Sequence, residues 1–232
     1  MQISVIVPTL NEAKRLPDLL ASLQRGDNGS EIIVVDGGST DATLEAAERH
    51  GARCLTAPAG RGQQLAAGAA VARGEVLLFL HADCRFPDRG LAAIGDALSS
   101  PDIVGGNFRL LFDGDDGFSR WLDRFYAWIR RRGFYYGDSG VFVRRHVYDA
   151  LGGIRPIALM EDYDFNRRME KHGPTCCIDD PPLLTSSRRF AGRSPVRIVA
   201  GWLAIHALFH LGMPPARLAK LYDSRRTRPV PD

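Results

Sequence analysis

Apolar positions fall into short runs of strand length, separated by segments with a helical rhythm. "ISVIVP" (3–8), "EIIVVD" (31–36), "ARCLTA" (52–57) and "EVLLFL" (75–80) read as strands, and Val76 to Leu80 is apolar without interruption. Strands that do not alternate are those covered on both faces, as in parallel sheets with helices above and below. Between the runs the pattern predicts helices. One follows Asn11, which can cap it, takes Pro17 in its first turn and runs to about Gln24. A second spans Asp41 to His50, with acids early and Arg49 late, as its dipole favours. A third, rich in alanine, spans Gln63 to Arg73. Strands alternating with helices of about ten residues imply right-handed βαβ units and a mainly parallel sheet.

The second half is less regular. "IVGGNFRLLF" is a strand, and Phe118, Leu122, Phe125 and Ile129 recur at spacings of four, three and four, giving an amphipathic helix over 117–131. "GVFVRR" reads as a strand, Glu161 to Lys171 as a helix, and "TCCID" and "PLLTSS" as two short strands. Two helices, about 195–211 and 214–225, are split by Pro214-Pro215, and Ile198, Trp202, Ile205 and Phe209 form one apolar stripe on the first. There is no internal repeat. The expected organisation is one α/β domain with halves at 1–115 and 116–190, followed by a helical basic tail at 191–232.

Charge sharpens this picture. The 232 residues carry a formal net charge of only +3, but nine Lys/Arg against two Asp from Arg188 onward give that segment +7 and leave −4 on the rest. A basic tail on a mildly acidic body points to an anionic partner. The apolar start "MQISVIVP" is too short for a signal peptide and lacks a basic leader. Cys54, Cys84, Cys176 and Cys177 have no metal-ligand spacing and read as small residues of a reducing cytoplasm.

In open α/β sheets ligands bind beyond the carboxyl ends of the strands. Pro8-Thr9, Asp36 and Asp83 lie at such ends, so that rim is the expected site. Asp36 could accept hydrogen bonds from a ribose or base, or it could build the Gly-Gly turn that follows. Neither G-x-G-x-x-G nor G-x-x-x-x-G-K-[ST] occurs. "GRGQQ" places Arg61 between glycines at a helix start, where backbone N–H groups and a guanidinium suit an anion. Asp83 could ligate a divalent metal whose shell phosphate oxygens complete. His81 beside it suits manganese better than magnesium, or is structural. In "MEDYDF", Glu161 and Asp162 either cap a helix or supply a general base. In "SSRRF", Arg188 and Arg189 are surface charge or a clamp on a diphosphate. His206 and His210 in "HALFH" lack the Glu of H-E-x-x-H and read as a flanking helix face.

Taken in order, these pieces resemble the family 2 glycosyltransferases with the GT-A fold, over residues 1 to about 190. "IVPTLNE" looks like the family's opening strand and loop, and "VVDGGSTDAT" resembles its "VDDGSxDxT" signature. "LLFLHADC" falls at its DXD metal motif, "MEDYDF" at its Glu-Asp pair, and "SSRRF" at its Q-x-x-R-W position. A small bacterial subgroup with "TS-x-RRF/W" and a "GD-x-G" turn is especially similar; the turn here is Gly137, Asp138, Ser139 and Gly140. Three positions depart: Gly37 stands for a second acid, His81 for the first DXD acid and Phe190 for the Trp.

The resemblance implies a nucleotide-diphosphate sugar donor, UDP-linked by preference with GDP as the other base, and an inverting displacement. Pro8, Thr9, Glu12 and Asp36 would hold base and ribose, and Arg61 would reach base or phosphates. Asp138 joins the substrate-binding set. Asp83 would bridge the diphosphate through Mn2+ or Mg2+, while Arg188 and Arg189 act on the leaving group. Asp162, with Glu161 second, would be the base for an acceptor hydroxyl. The acceptor is unspecified, and a lipid-linked one is among those expected. The tail's stripe packs on the body or on a second copy, or lies in the interface of the membrane's inner face. Nucleic acid is not expected, since the tail lacks regular aromatic interleaving. Two other readings fit the residues: a nucleotide-sugar binding module without catalysis, and a sugar-1-phosphate nucleotidylyltransferase, whose glycine-rich signature "PTLNEAKR" lacks.

Overall fold

The structure, a computed structural model, describes residues 1–26, 29–190 and 194–224. Its sheet is built outward from β1 (Ile3–Thr9), which pairs in parallel with β2 (Glu31–Asp36) on one side and β4 (Val76–Phe79) on the other. β3 (Arg53–Thr56) extends the parallel edge beyond β2. β5 (Cys84–Arg85), β6 (Gly105–Phe112), β7 (Val141–Arg144) and β8 (Thr175–Thr185) complete the order β3-β2-β1-β4-β7-β6-β8-β5. β7 runs antiparallel to both β4 and β6, and β5 runs antiparallel to β8; the other six strands share one direction. The sheet is thus mixed, though mainly parallel.

The lack of polar alternation has a direct cause. Val5, Val7, Val34, Leu78 and Phe142 point into one core, while Ile6, Ile33, Val35, Leu77 and Val143 point into another. α1 (Leu16–Arg25) fills the first with Leu16, Leu19, Leu20 and Leu23; α3 (Arg61–Val71) and α7 (Glu161–His172) fill the second with Leu65, Ala69, Phe165 and Met169. α2 (Thr43–Arg49) and α5 (Gly117–Arg130) lie where the pattern predicts them. α5 is capped by Asp116, whose carboxylate accepts from the backbone N–H groups of Phe118 and Ser119, each at 2.8 Å. Its buried positions are Ser119, Leu122, Tyr126 and Ile129, so the core stripe is rotated from the predicted one. Phe118 and Phe125 are half-buried at its flank.

Several expectations need correction. Asn11 does not cap α1, which starts five residues later with no side-chain cap. With φ 55°, a backbone region Asn tolerates, it donates its N–H to Ser39 Oγ and accepts from Thr40 N, each at 2.8 Å. It therefore ties two loops of the rim together. "TCCID" and "PLLTSS" belong to one strand, β8, with a register break opposite Phe108/Leu110 where Pro181 and Pro182 cannot donate to the ladder. α4 (Gly90–Ala97) and α6 (Arg145–Ala150) were not predicted, being short and poor in periodic apolar positions. The basic tail forms α8 (Pro195–His210) and α9 (Pro215–Ser224), which pack on the body through buried Ile198, Ile205 and Leu218. Among the described residues no helix is long and apolar enough to cross a membrane.

Gly106 marks where β6 and β8 crowd: a Cβ there would lie 2.2 Å from the carbonyl oxygen of Cys176. Gly106→Ala is expected to cost about 1–3 kcal/mol, read as a lower urea midpoint with an unchanged slope. Gly95→Ala, in α4 with only the Met1 side chain at 3.8 Å, is expected to be neutral or to gain about 0.5–1 kcal/mol.

Candidate active site

One cleft of about 1340 Å³ opens at the carboxyl rim of the sheet. Strand direction explains its membership. β1 and β4 deliver Pro8-Thr9 and the His81–Asp83 loop as they end, and β8 delivers Arg188 just beyond Thr185. β7 runs the other way, so the turn before it, Gly137–Ser139, reaches the same rim. α7 starts there with Glu161 and Asp162.

Two ion networks occupy the polar end of the cleft. In the first, the Arg61 guanidinium donates to the Glu161 carboxylate and lies 3.4 Å from Asp162 Oδ2. Asp162 Oδ2 also accepts from Gly137 N at 2.8 Å, and Oδ1 from Tyr163 N at 2.7 Å. Burial pushes the Asp162 carboxyl up, but the Arg61 charge and these two N–H donors outweigh it and hold the group below its usual range. Glu161, 1 % exposed, goes the other way: burial dominates and raises it despite Arg61. Burial would lower Arg61, yet the charges of Asp162 and Glu161 prevail and raise it. The adjacent carboxyls are therefore inequivalent, with Asp162 the better ionised.

In the second network Arg188 donates to Glu12 Oε1 at 2.6 Å and lies 3.3 Å from Asp83 Oδ2. Glu12 is held by its own N–H, which donates to Thr43 Oγ1 at 2.9 Å. Asp83 already holds one cation here, the guanidinium of Arg188. Among the described residues no three His, Cys, Asp or Glu side chains gather to hold a metal. One accessible carboxylate suits a metal whose remaining ligands come from phosphates, the mode hard divalent cations commonly use with nucleotides. Asp83 fits a metal shared with a diphosphate and does not by itself make a preformed cage.

Gly137 allows the two acids' loops to meet. A Cβ on it would sit 3.1 Å from Asp162 Oδ2 and 3.3 Å from His81 Nε2. Asp138 is buried beside it, with Tyr126 Oη donating to its Oδ2 at 3.4 Å.

Thus Pro8, Thr9, Glu12, Arg61, Asp83, Asp138, Glu161, Asp162 and Arg188 line one cleft. Asp36 does not. Only 1 % exposed, it accepts from the N–H groups of Gly38 and Ser39 at 2.9 Å and from the hydroxyls of Ser39 and Thr9. Its carboxylate builds the turn, the second of the two roles its position allowed. The side chain of Arg189 lies outside the described residues.

Other groups at the cleft went unrecognised in the sequence. Gln64 donates Nε2 to the carbonyls of Thr9 at 2.7 Å and Val35 at 2.8 Å, clasping the ends of β1 and β2. His206 and His210, expected on a flanking face, line the cleft instead; His206 Nε2 pairs with Tyr136 Oη at 2.8 Å and His210 Nε2 with Tyr163 Oη at 3.0 Å. Burial and then His210 hold His206 below its ordinary pKa. Nothing local in the sequence around Tyr136 shows that α8 docks against it.

A mixed sheet whose rim gathers acids and arginines in this way is the GT-A architecture. The mannosyltransferase PcManGT from Pyrobaculum calidifontis, in complex with GDP-Man and Mn2+, superposes with a TM-score of 0.67 at 19% identity, covering 97% of this chain and 68% of that one. The M. tuberculosis glucosyl-3-phosphoglycerate synthase, in complex with Mn2+, UDP and phosphoglyceric acid, gives 0.64 at 19%, covering 92% and 79%. The family model "Glycosyl transferase family 2" matches residues 4–158, and the chain belongs to that family. A PGL/p-HBAD biosynthesis glycosyltransferase of Mycobacterium bovis is 31% identical over 204 residues, 78% of this chain and 72% of that protein. The dolichyl-phosphate beta-glucosyltransferase of Drosophila melanogaster is 39% identical over 108 residues, 38% of this chain; the matched stretch spans 33% of the fly protein.

Arg61 is the cation between two buried acids, its own side chain 35% exposed. Arg61→Met is expected to destabilise by about 3 kcal/mol near neutrality, the lower end for breaking a buried pair. Without the cation, burial raises Glu161 further and Asp162 loses the largest of its lowering influences, so the deficit should shrink as pH falls and the pair protonates. Urea unfolding from pH 7 to pH 4, with Arg61→Met/Glu161→Gln/Asp162→Asn as the rescuing variant, checks this.

Proposed function

We propose that this protein transfers a sugar from a nucleotide-diphosphate sugar to an acceptor hydroxyl, with inversion, using Asp162 as general base. The observation that carries the reading is the inequivalence of the two acids on one cleft wall, with Asp162 kept ionised opposite the Asp83–Arg188 pair. A base must be deprotonated yet within reach of the nucleophile; Asp162 is accessible to the cleft, whereas Glu161 is buried against Arg61. The acceptor oxygen attacks the anomeric carbon from the face opposite the leaving group, and its proton passes to Asp162. The bond from that carbon to the diphosphate breaks as the new one forms, and the nucleoside diphosphate departs.

Charge builds up on the departing diphosphate. Arg188, already against Asp83, is placed to take it, and preorganised charge of this kind contributes roughly 3–4 kcal/mol per group. A divalent metal, Mn2+ or Mg2+, held by Asp83 together with the diphosphate would neutralise the same charge. Pro8, Thr9 and Glu12 hold the nucleoside end, and Asp138 bounds the sugar. Asp36 acts there through the turn it builds, not by touching the donor. UDP is the preferred nucleotide of the donor and GDP the other. The neighbours bound to UDP with Mn2+ or GDP-Man with Mn2+ support this donor class.

Asp162→Asn is expected to lower turnover about 10²–10⁴-fold while leaving nucleoside diphosphate affinity nearly unchanged. Calorimetry with UDP and GDP, with and without Mn2+, is paired with a donor-hydrolysis assay. Normal turnover by the variant would remove the base assignment, and no binding of either nucleotide would remove the donor site.

A further inference from the structure

The cleft is not polar throughout. From Asp162 it continues between α5 and α8, where its walls are Phe125, Trp128, Val199, Trp202 and Leu203. On α5 four rings stack along the helix: Phe118 on Trp121 at 5.6 Å, Trp121 on Phe125 at 4.9 Å, and Phe125 on Trp128 at 6.1 Å. Arg132 covers the outer face of Trp128, its guanidinium carbon 3.9 Å from the ring centre. Across the gap Leu203 is 67% exposed.

Exposed apolar side chains are concentrated on the elements that flank this passage. Of the large hydrophobics exposed among the described residues, Trp121, Trp128, Val196, Leu203, Leu211 and Leu221 lie on α5 or the α8–α9 hairpin; only Met1 and Leu10 lie elsewhere. Trp128 and Leu203 are both exposed and part of the cleft's lining, and exposed apolar side chains at the mouth of a polar cleft mark a binding surface. Its inner end meets the Tyr136–His206 pair and then Asp162. A molecule filling this space must change character along its length, polar at the acid and apolar at the mouth.

We propose that the passage between α5 and α8 is the acceptor subsite and that the acceptor is an amphiphilic alcohol. Its hydroxyl-bearing head reaches Asp162, and its apolar chain lies between Phe125/Trp128 and Trp202/Leu203. This rests on the transferase reading only for the polar end. The donor diphosphate occupies the Asp83–Arg188 side, so the passage is the route left for the acceptor. α8 and α9 are then a working wall of the site as well as a packed tail.

Of the chain's three tryptophans, Trp128 and Trp202 line the passage and Trp121 stacks on its wall residue Phe125, so intrinsic fluorescence reads its occupancy. The full chain is titrated with maltose and with octyl, decyl and dodecyl maltosides below their critical micelle concentrations. The expected result is a saturable blue shift absent with maltose, with affinity rising up to about fourfold per added methylene. Leu203→Asp, at an exposed position, and Phe125→Ala should each weaken dodecyl maltoside about tenfold or more, with UDP affinity by calorimetry unchanged. A response independent of chain length, or one untouched by both variants while UDP still binds, would overturn the proposal alone. So would a dimer that Leu203→Asp converts to monomer with no alkyl response, since the face would then join two copies. Chain-length-dependent binding in a protein that binds neither UDP nor GDP would support the passage and overturn the donor reading instead. Co-sedimentation with phosphatidylglycerol vesicles separates the sources: pelleting abolished by Leu203→Asp assigns the amphiphile to a bilayer, and retention in solution with the alkyl dependence intact assigns it to a free molecule.

Discussion

Two carboxylates side by side in a protein interior cannot both stay ionised without a compensating charge. Glu161 and Asp162 are in that position, and Arg61 is the compensation. The contact spans 100 residues of sequence and joins the start of α3 to the start of α7. It fixes where the acid pair stands relative to the strand ends, and it makes two chemically similar groups unequal. The guanidinium grips Glu161, whereas Asp162 keeps its charge through the nearby Arg61 cation and then two backbone donors, and it lines the cleft. The arginine that the glycine-flanked helix start suggested for an anion thus has two carboxylates as its partners here.

Reversal of β7 is the second constraint. Had it run with its neighbours, the Gly137–Ser139 turn would lie at the opposite rim, and Asp162 would lose the N–H of Gly137. One antiparallel strand in a mostly parallel sheet brings the later half of the chain to the edge where the first half ends. The tail then covers that edge from a third direction. Polar groups come from the strand ends and from the starts of α3 and α7, and apolar walls come from α5 and α8.

Much of this was legible in the residues. The unbroken apolar runs gave the strands of the first half, because burial on both faces leaves its mark at every position. The order of the short motifs pointed to Asp83, Glu161, Asp162 and Arg188, which share one cleft: Asp83 and Arg188 follow strand ends, and Glu161 and Asp162 open a helix at the same rim. What stayed hidden depends on partners distant in sequence. Asp36 has the same residue type and placement whether it faces a ligand or its own turn; only the hydrogen bonds to Gly38 and Ser39 decide. His206 and His210 look like one side of an isolated helix until Tyr136 and Tyr163 are seen opposite them. The stripe on α5 was misplaced by a fraction of a turn because both its flanks are aromatic: one faces the core, and the other lines the passage.

The amide of Gln64 clasps the ends of the first two strands, and it lies 3.1 Å from the spot a β-carbon on residue 37 would claim. The two positions therefore form a steric lock. A β-carbon at position 37 would press on that amide, so the glycine leaves room for the clasp that ties the ends of β1 and β2 together.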